Sequence, residues 1–388
     1  MKRTPATADI LHGLLEEGLK PPETVTLAIT GYCLLHCRHC WPDYGAGTSQ
    51  GPVPAFNLKK VLQELVDLGI RTLVLTGGEP MTHPDWLDIL KFACRELAIS
   101  SVCLQTTAML LTRSHLDVLD KFRDTGLSFQ VSLDGARSIT HDDVRGNGAF
   151  ERTVQGLQVL VEGGWGPRLS VAFTEMQHNM DEIDDLLDLV ERMGIGRLVS
   201  GTLVSAGRAA KSDGIAPPNP DQYRRLITRY VSDETFRSRY QRLANIAAVE
   251  WWLHRSENSG TCCTLIEHPY ITAKGQMYPC VMLHADPYSA RGVFERPLAE
   301  ALAEVLPQWG RLRQISLRRA SEIAACRRCP HCGHCGAGCM GRAYAQSGDF
   351  FAPEDRCALR KAVYTLSDFI AEDSPGTVRK LHDSLTDW

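Results

Sequence analysis

Ala28-Ile29-Thr30-Gly31-Tyr32-Cys33-Leu34-Leu35-His36-Cys37-Arg38-His39-Cys40-Trp41 joins an apolar, strand-like run to three cysteines spaced C-x3-C-x2-C. Three thiolates this close suit one metal centre. A structural zinc site and a cubane iron–sulfur cluster each take four ligands, so a triplet without a neighbouring fourth cysteine leaves one corner open for chemistry. Two plainer readings compete: incidental buried thiols, and a zinc site completed by His36 or His39.

The chain around this stretch has 388 residues, enough for one large α/β domain and a smaller appendage. A formal charge of −4 provides no basic footprint, so nucleic acid is not an expected partner. Met1-Lys2-Arg3 is followed by Asp9, Glu16 and Glu17 rather than by the apolar core of an export signal. No run reaches the roughly 20 apolar residues of a membrane span, so no membrane partner is expected. The expected location is cytoplasmic, where 14 cysteines clustered at short spacings stay reduced and available to metal.

Residues 8–19 carry apolar side chains at helical spacing and end at Pro21-Pro22, which predicts a short leader helix. Strands are predicted at 25–30, 72–76, 100–105, 128–133, 168–173 and 197–203, each suited to burial on both faces. Helices are predicted near 57–68, 84–97, 113–125, 149–162, 179–193 and 220–231. Asn57 is the expected N-cap of the first, Val61, Leu62, Leu65, Val66 and Leu68 its buried stripe, and Gly69 its stop. Gly126 and Gly194 follow their helices in the same way. Six βα units with right-handed crossovers imply a parallel sheet, either open and doubly wound or curled into a partial barrel. The expected organisation is a helical segment at 1–24, an α/β core at 25–235, a helical bridge at 236–260 and a cysteine-rich domain at 261–388. Cys94 and Cys103 fall in a helix and a strand and read as core thiols, and Trp251-Trp252 as packing between domains.

The second strand ends in Gly77-Gly78-Glu79-Pro80, where paired glycines let a backbone approach a ligand closely and Glu79 can face an ammonium. Together with Cys33, Cys37 and Cys40, this resembles the radical S-adenosylmethionine (SAM) superfamily. The resemblance departs at Leu34, where many members have Asn, and at His39, where Tyr or Phe is frequent. It implies a partial (β/α)6 TIM-type barrel, a [4Fe-4S] cluster on the three cysteines, and SAM on the open iron. It further implies that His39 and Gly77 to Pro80 contact SAM. Ser132, Asp134 and Arg145, in Val131-Ser132-Leu133-Asp134-Gly135 and the stretch His141 to Gly146, match the part that contacts the SAM ribose and carboxylate, although Asp134 can instead brace the turn. Gln105-Thr106-Thr107 stands where relatives often have Thr-Asn-Gly. Val204 to Ala209 resembles a Gly-Arg-Ala stretch that either lines the cavity or is a plain loop.

Beyond residue 260 come Cys262-Cys263, Cys280, then Cys326, Cys329, Cys332, Cys335, Cys339 and Cys357. Tyr270-Ile271-Thr272 and Gln276-Met277-Tyr278 read as a hairpin around Lys274-Gly275. The pattern resembles the SPASM extension of peptide-modifying radical SAM enzymes, which implies two auxiliary [4Fe-4S] clusters. Cys280 and Cys339, with Cys262, Cys263 or both, would hold one; Cys326, Cys329, Cys335 and Cys357 would hold the other. Cys332 also fits a ferredoxin-like run with Cys329, Cys335 and Cys339, and a zinc ribbon remains the structural alternative.

The resemblance therefore implies an enzyme that reductively cleaves SAM to a 5′-deoxyadenosyl radical, takes electrons from a flavodoxin or ferredoxin, and oxidises or crosslinks a peptide or protein. The segment before the barrel is too short for the leader-peptide recognition domain of some peptide maturases. The alternative is oxidation of a small molecule in cofactor or tetrapyrrole biosynthesis, and the non-enzymatic one is an iron–sulfur electron carrier. No catalytic acid or base stands out: Glu267, His268, Tyr270 and Asp286, near the domain junction, read as structural.

Overall fold

A computed structural model describes residues 5–47, 50–254, 263 and 265–373; Cys262 lies outside the described residues. Six parallel strands follow the chain in order: β1 (Thr24–Ala28), β2 (Thr72–Thr76), β3 (Ser101–Thr106), β4 (Leu127–Ser132), β5 (Leu169–Glu175) and β6 (Arg197–Thr202). Each pairs with the next, and no reversal of strand order occurs among them. A doubly wound sheet reverses its order at a switch point. A sheet that keeps winding one way puts every helix on one face and curls, which gives the partial barrel.

The strands alternate rather than bury both faces alike. In β2, Leu73 and Leu75 are fully buried while Thr72, Val74 and Thr76 are half-buried, and β3 to β5 repeat the pattern. The buried set packs outward under the helices; the half-buried set, including Gln105, Gln130 and Ser132, faces an internal cavity. Two-sided burial would have filled the barrel with side chains. The polar inner positions leave it open instead.

The helix Ala55–Leu68 buries Leu58, Val61, Leu62, Leu65 and Leu68, and Gly69 ends it at φ 110°. Its N-cap is Pro54, without a side-chain cap, and Asn57 lies inside the first turn. Gly194 adopts φ 69°, as a helix stop does. Gly126 has another reason: a Cβ there would sit 1.9 Å from the Ser100 carbonyl.

Residues 220–253 form three helices, Pro220–Ser232, Glu234–Leu243 and Ala247–Leu253, broken by the two-residue strand β7 (Ala244–Asn245), which extends the parallel sheet beside β6. The expected hairpin is present as β8 (Tyr270–Ile271) and β9 (Gln276–Tyr278). It joins the barrel, because β8 pairs in parallel with β1, and β10 (Ala290–Arg291) adds antiparallel to β9. The sheet thus runs without a break from the six parallel strands to β9, which ends two residues before Cys280. Trp251 packs on Tyr223 and under Arg360, and Trp252 on Tyr230, in agreement with an inter-domain packing role. Among the described residues, no helix is long and apolar enough to cross a membrane.

Candidate active site

The strand ends bring the cysteine triplet and the double glycine together. Gly78 N–H donates to the Thr30 carbonyl at 2.8 Å and Glu79 N–H to the Tyr32 carbonyl at 2.9 Å. A Cβ on Gly77 would lie 2.5 Å from Thr30 O, and one on Gly78 2.2 Å from Tyr32 O. Only glycine lets the two backbones run this close.

The loop is fastened from the other side by the Gly-Arg-Ala stretch. Gly207 adopts φ 57°, and the Arg208 N–H donates to Cys40 O at 3.0 Å. The Arg208 guanidinium donates from Nε to Cys37 O at 2.9 Å, holds the Tyr44 carbonyl, and pairs with Asp43 at 2.6 Å. Between these two anchors, Arg38 N–H donates to Val144 O at 2.8 Å and the Arg38 side chain reaches Asp143, so the helix Ser138–Arg145 is tied to the cysteine loop. Sequence reasoning singled out Gly207 and Arg208 but not the clamp they form, whose partners lie more than 160 residues away.

Cys33, Cys37, Cys40, His39, Gly77, Gly78, Ser132 and Arg145 all line one cavity of about 440 Å³. This is the size range of small-molecule sites. Glu79, Pro80 and Asp134 lie behind its wall. The Glu79 carboxylate is buried and fully used: it accepts from the hydroxyls of Thr106 (2.6 Å) and Thr107 (2.7 Å) and from the N–H of Thr107 (2.8 Å) and Met81 (3.2 Å). It braces the β2 end to the β3 end, and Pro80 opens the short turn that follows. The Gln105-Thr106-Thr107 stretch supplies three of those four hydrogen bonds.

Asp134 is completely buried and holds two cavity residues. One carboxylate oxygen accepts from Arg145 Nε at 2.6 Å and lies 3.2 Å from His39 Nε2; the other accepts from Thr174 N–H at 2.7 Å. Burial alone would raise this carboxyl, but Arg145, with His39, His141 and the Thr174 N–H, holds it well below the usual carboxylate range. Burial pushes His39 down to about 4, so its ring is neutral near pH 7, and its Nδ1 is buried without a hydrogen-bond partner. Asp134 is thus the brace that the sequence offered as the second possibility.

The thiols suit a metal core that carries positive charge. Burial pushes Cys33 up to about 12 and raises Cys37 and Cys40, and the Cys40 thiolate further opposes Cys33 and Cys37. An anion set this costly to ionise is compatible with a metal centre that neutralises it. Among the described residues, no group of three or more His, Cys, Asp or Glu could hold a single metal ion, so the sulfurs surround a cavity rather than meet at a point. That wall also carries the turn at Gly77-Gly78, Ser132, Arg145 and His39, whose buried Nδ1 has no hydrogen-bond partner.

The described cysteines are free thiols. Cys263, Cys280 and Cys339 lie within electrostatic reach of one another, and burial pushes the first two up to about 12. Cys326, Cys329, Cys335 and Cys357 line a second, smaller cavity, and Cys332 lines it too. The two sets could therefore hold separate centres. Val281 and Met282, directly after Cys280, line the main cavity, so one wall of that cavity adjoins the first of these sets.

A family description, Radical SAM superfamily, matches residues 27–190. The AdoMet-dependent heme synthase of Methanosarcina barkeri is 30% identical over 366 residues, covering 87% of this chain and 97% of its own length. The mycofactocin maturase MftC of Mycobacterium tuberculosis is 28% identical over 222 residues, 56% of this chain and 54% of its own. Streptococcus suis SuiB, in a crystal structure with the precursor peptide SuiA, superposes with a TM-score of 0.70 at 19% identity over 90% of this chain and 79% of that one, which shows the shared fold. The cysteine triplet, the paired glycines packed on it and the open barrel agree with these matches: the chain belongs to the radical SAM superfamily.

Proposed function

We propose that this enzyme oxidises a tetrapyrrole, with Cys33, Cys37 and Cys40 holding a [4Fe-4S] cluster and its open iron holding SAM. When bound, this pair supplies reductive cleavage of SAM to methionine and a 5′-deoxyadenosyl radical. The chain's own residues bind and orient. The backbone at Gly77-Gly78 receives the SAM amino group, while Ser132 and Arg145 take the ribose and carboxylate. Asp134 keeps Arg145 charged and aimed, and Glu79 keeps the glycine turn in register. The barrel wall excludes water from the reacting atoms.

Two auxiliary clusters complete the reading, one on Cys280 and Cys339 with Cys263 or Cys262, the other on Cys326, Cys329, Cys335 and Cys357. Val281 and Met282 support it, because they put the first of these sets at the edge of the cavity where a substrate would lie. A flavodoxin or ferredoxin is the expected electron donor.

One observation carries the choice of substrate. The match to the heme synthase spans nearly both whole chains, whereas the match to the mycofactocin maturase MftC spans about half. A peptide substrate is the second reading, favoured by the maturases among the relatives and by the fold shared with SuiB. The test is anaerobic turnover of reconstituted protein with SAM, a reductant and either iron coproporphyrin-type tetrapyrroles or candidate peptides. Tetrapyrrole should accelerate 5′-deoxyadenosine release and change its own mass and absorption spectrum. Acceleration by a peptide alone would replace this reading with the second.

A further inference from the structure

The long helix Leu298–Glu322 carries Arg319 into the interior, where it is 1% exposed. A guanidinium at such depth ordinarily has a carboxylate, or acceptors for all its N–H groups, since an unpaired buried charge is strongly destabilising. Arg319 has neither. Nη2 donates to the carbonyls of Ala337 (2.8 Å) and Ala352 (3.3 Å), but Nε and Nη1 are buried without acceptors. Among the described residues no carboxylate pairs with it. The buried acids of this region are committed elsewhere: Glu354 to Arg360 and the Cys339 N–H, and Asp355 to Arg356 and Arg342. Arg356 is comparably buried and also has an unpartnered Nε, yet it has Asp355 at 2.8 Å. Arg319 is the one left with an unbalanced charge.

Its surroundings are the two cysteine sets. Ala337 lies between Cys335 and Cys339, which belong to the two different cysteine sets, and lines the second cavity with Cys326, Cys329 and Cys357. The next residue of the helix, Ala320, has the Cys332 thiol 3.9 Å from its carbonyl. Neutral thiols would not balance the Arg319 charge. Thiolate-ligated iron–sulfur cores are net anionic and become more so on reduction, and hydrogen bonds to their sulfurs and nearby charges set their potentials.

We propose that Arg319 is the shared counter-cation of the two auxiliary centres, its unpartnered Nε and Nη1 donating to their sulfurs and raising their reduction potentials. The inference rests on the auxiliary-cluster reading. Arg319 is a positioning and tuning residue; the main cavity holds the reacting atoms.

The test is a redox titration of the reconstituted full chain, followed by electron paramagnetic resonance, on wild type, Arg319→Gln and Arg319→Lys, each with iron and sulfide counted. Addition of SAM identifies the signal of the Cys33/Cys37/Cys40 cluster, which serves as the internal control. Gln keeps a donor for the Ala337 carbonyl and loses the charge; Lys keeps the charge. The SAM-insensitive signals should shift to more negative potential in Arg319→Gln and return toward wild type in Arg319→Lys, with the SAM-sensitive signal unmoved. Loss of auxiliary iron in the Gln variant but not the Lys variant would equally support a required charge. Full iron with unchanged potentials in Arg319→Gln overturns the proposal alone, as does equal loss of iron from both variants. Wild type holding iron for only the SAM-sensitive cluster overturns both it and the auxiliary-cluster reading.

Discussion

The loop from Cys33 to Cys40 and the segment from Cys326 to Cys339 both set thiols around a cavity, but they are fastened differently. The first is held by distant elements: the glycine turn after β2, Arg208 after β6, and the backbone of Val144. The second is held chiefly by its own turns, with Cys329 N–H donating to Cys326 O, Cys332 N–H to Cys329 O, Cys335 N–H to His331 O and Gly338 N–H to Cys335 O. Its attachment to the barrel comes from outside the segment, through Arg342 and Arg356, which both donate to Leu203 O. On the proposed reading, the first must place a cofactor against a substrate and needs strand ends to set its geometry, while the second has only to hold a cluster and can build itself locally.

Gly78→Ala should break that contrast most severely. Its Cβ would meet backbone at 2.2 Å, so the turn must shift, and SAM cleavage should fall by about 100-fold or more. Gly333→Ala, in the second region with nothing within 4 Å, should leave cleavage and iron content near wild type. Equal effects of the two would show that the first loop is not held as described.

Arg145→Ala tests the buried pair behind the loop. It leaves the Asp134 charge without its main partner and should cost about 3–5 kcal/mol in a urea denaturation experiment. A loss below about 1 kcal/mol would mean that Asp134 is neutral or repartnered.

Acid should act through the same corner. His141 is buried and pushed down to about 4, first by burial and then by Arg145. The unfolded chain protonates this ring near pH 6.5 and the folded one only near 4, so its contribution is intact above 6.5 and lost as pH falls between the two. Wild type should lose about 2 kcal/mol more than His141→Asn between pH 7.5 and 5. Parallel losses would remove His141 from the account.

The smallest effect is expected at Cys332. It lines the second cavity beside four other cysteines, so Cys332→Ser should lower iron content less than Cys329→Ser does. The reverse order would favour the ferredoxin-like ligand set.

Elements carried by local pattern were legible in the sequence. The strand Thr72–Thr76 and the helix Ala149–Glu162 match their expected bounds, because an apolar run or a helical stripe ends at glycine in each. Two-residue strands such as β7 and β8 have no period to read, and their partners lie far along the chain. Hence the union of the hairpin with β1 was not visible. The same holds at the site. Cys33, Cys37, Cys40, Gly77 and Gly78 declare themselves by spacing, but Glu79 and Asp134 look like ligand groups until their partners are known. Only the folded chain shows Thr106, Thr107 and Arg145 taking up those carboxylates.

The division of labour between the two cysteine regions is tested most directly by measuring 5′-deoxyadenosine and substrate product side by side in Cys37→Ser and Cys280→Ser. Cys37→Ser should abolish both. Cys280→Ser should still cleave SAM but yield little or no oxidised product. Product formation undiminished in Cys280→Ser, or SAM cleavage surviving in Cys37→Ser, would contradict the account.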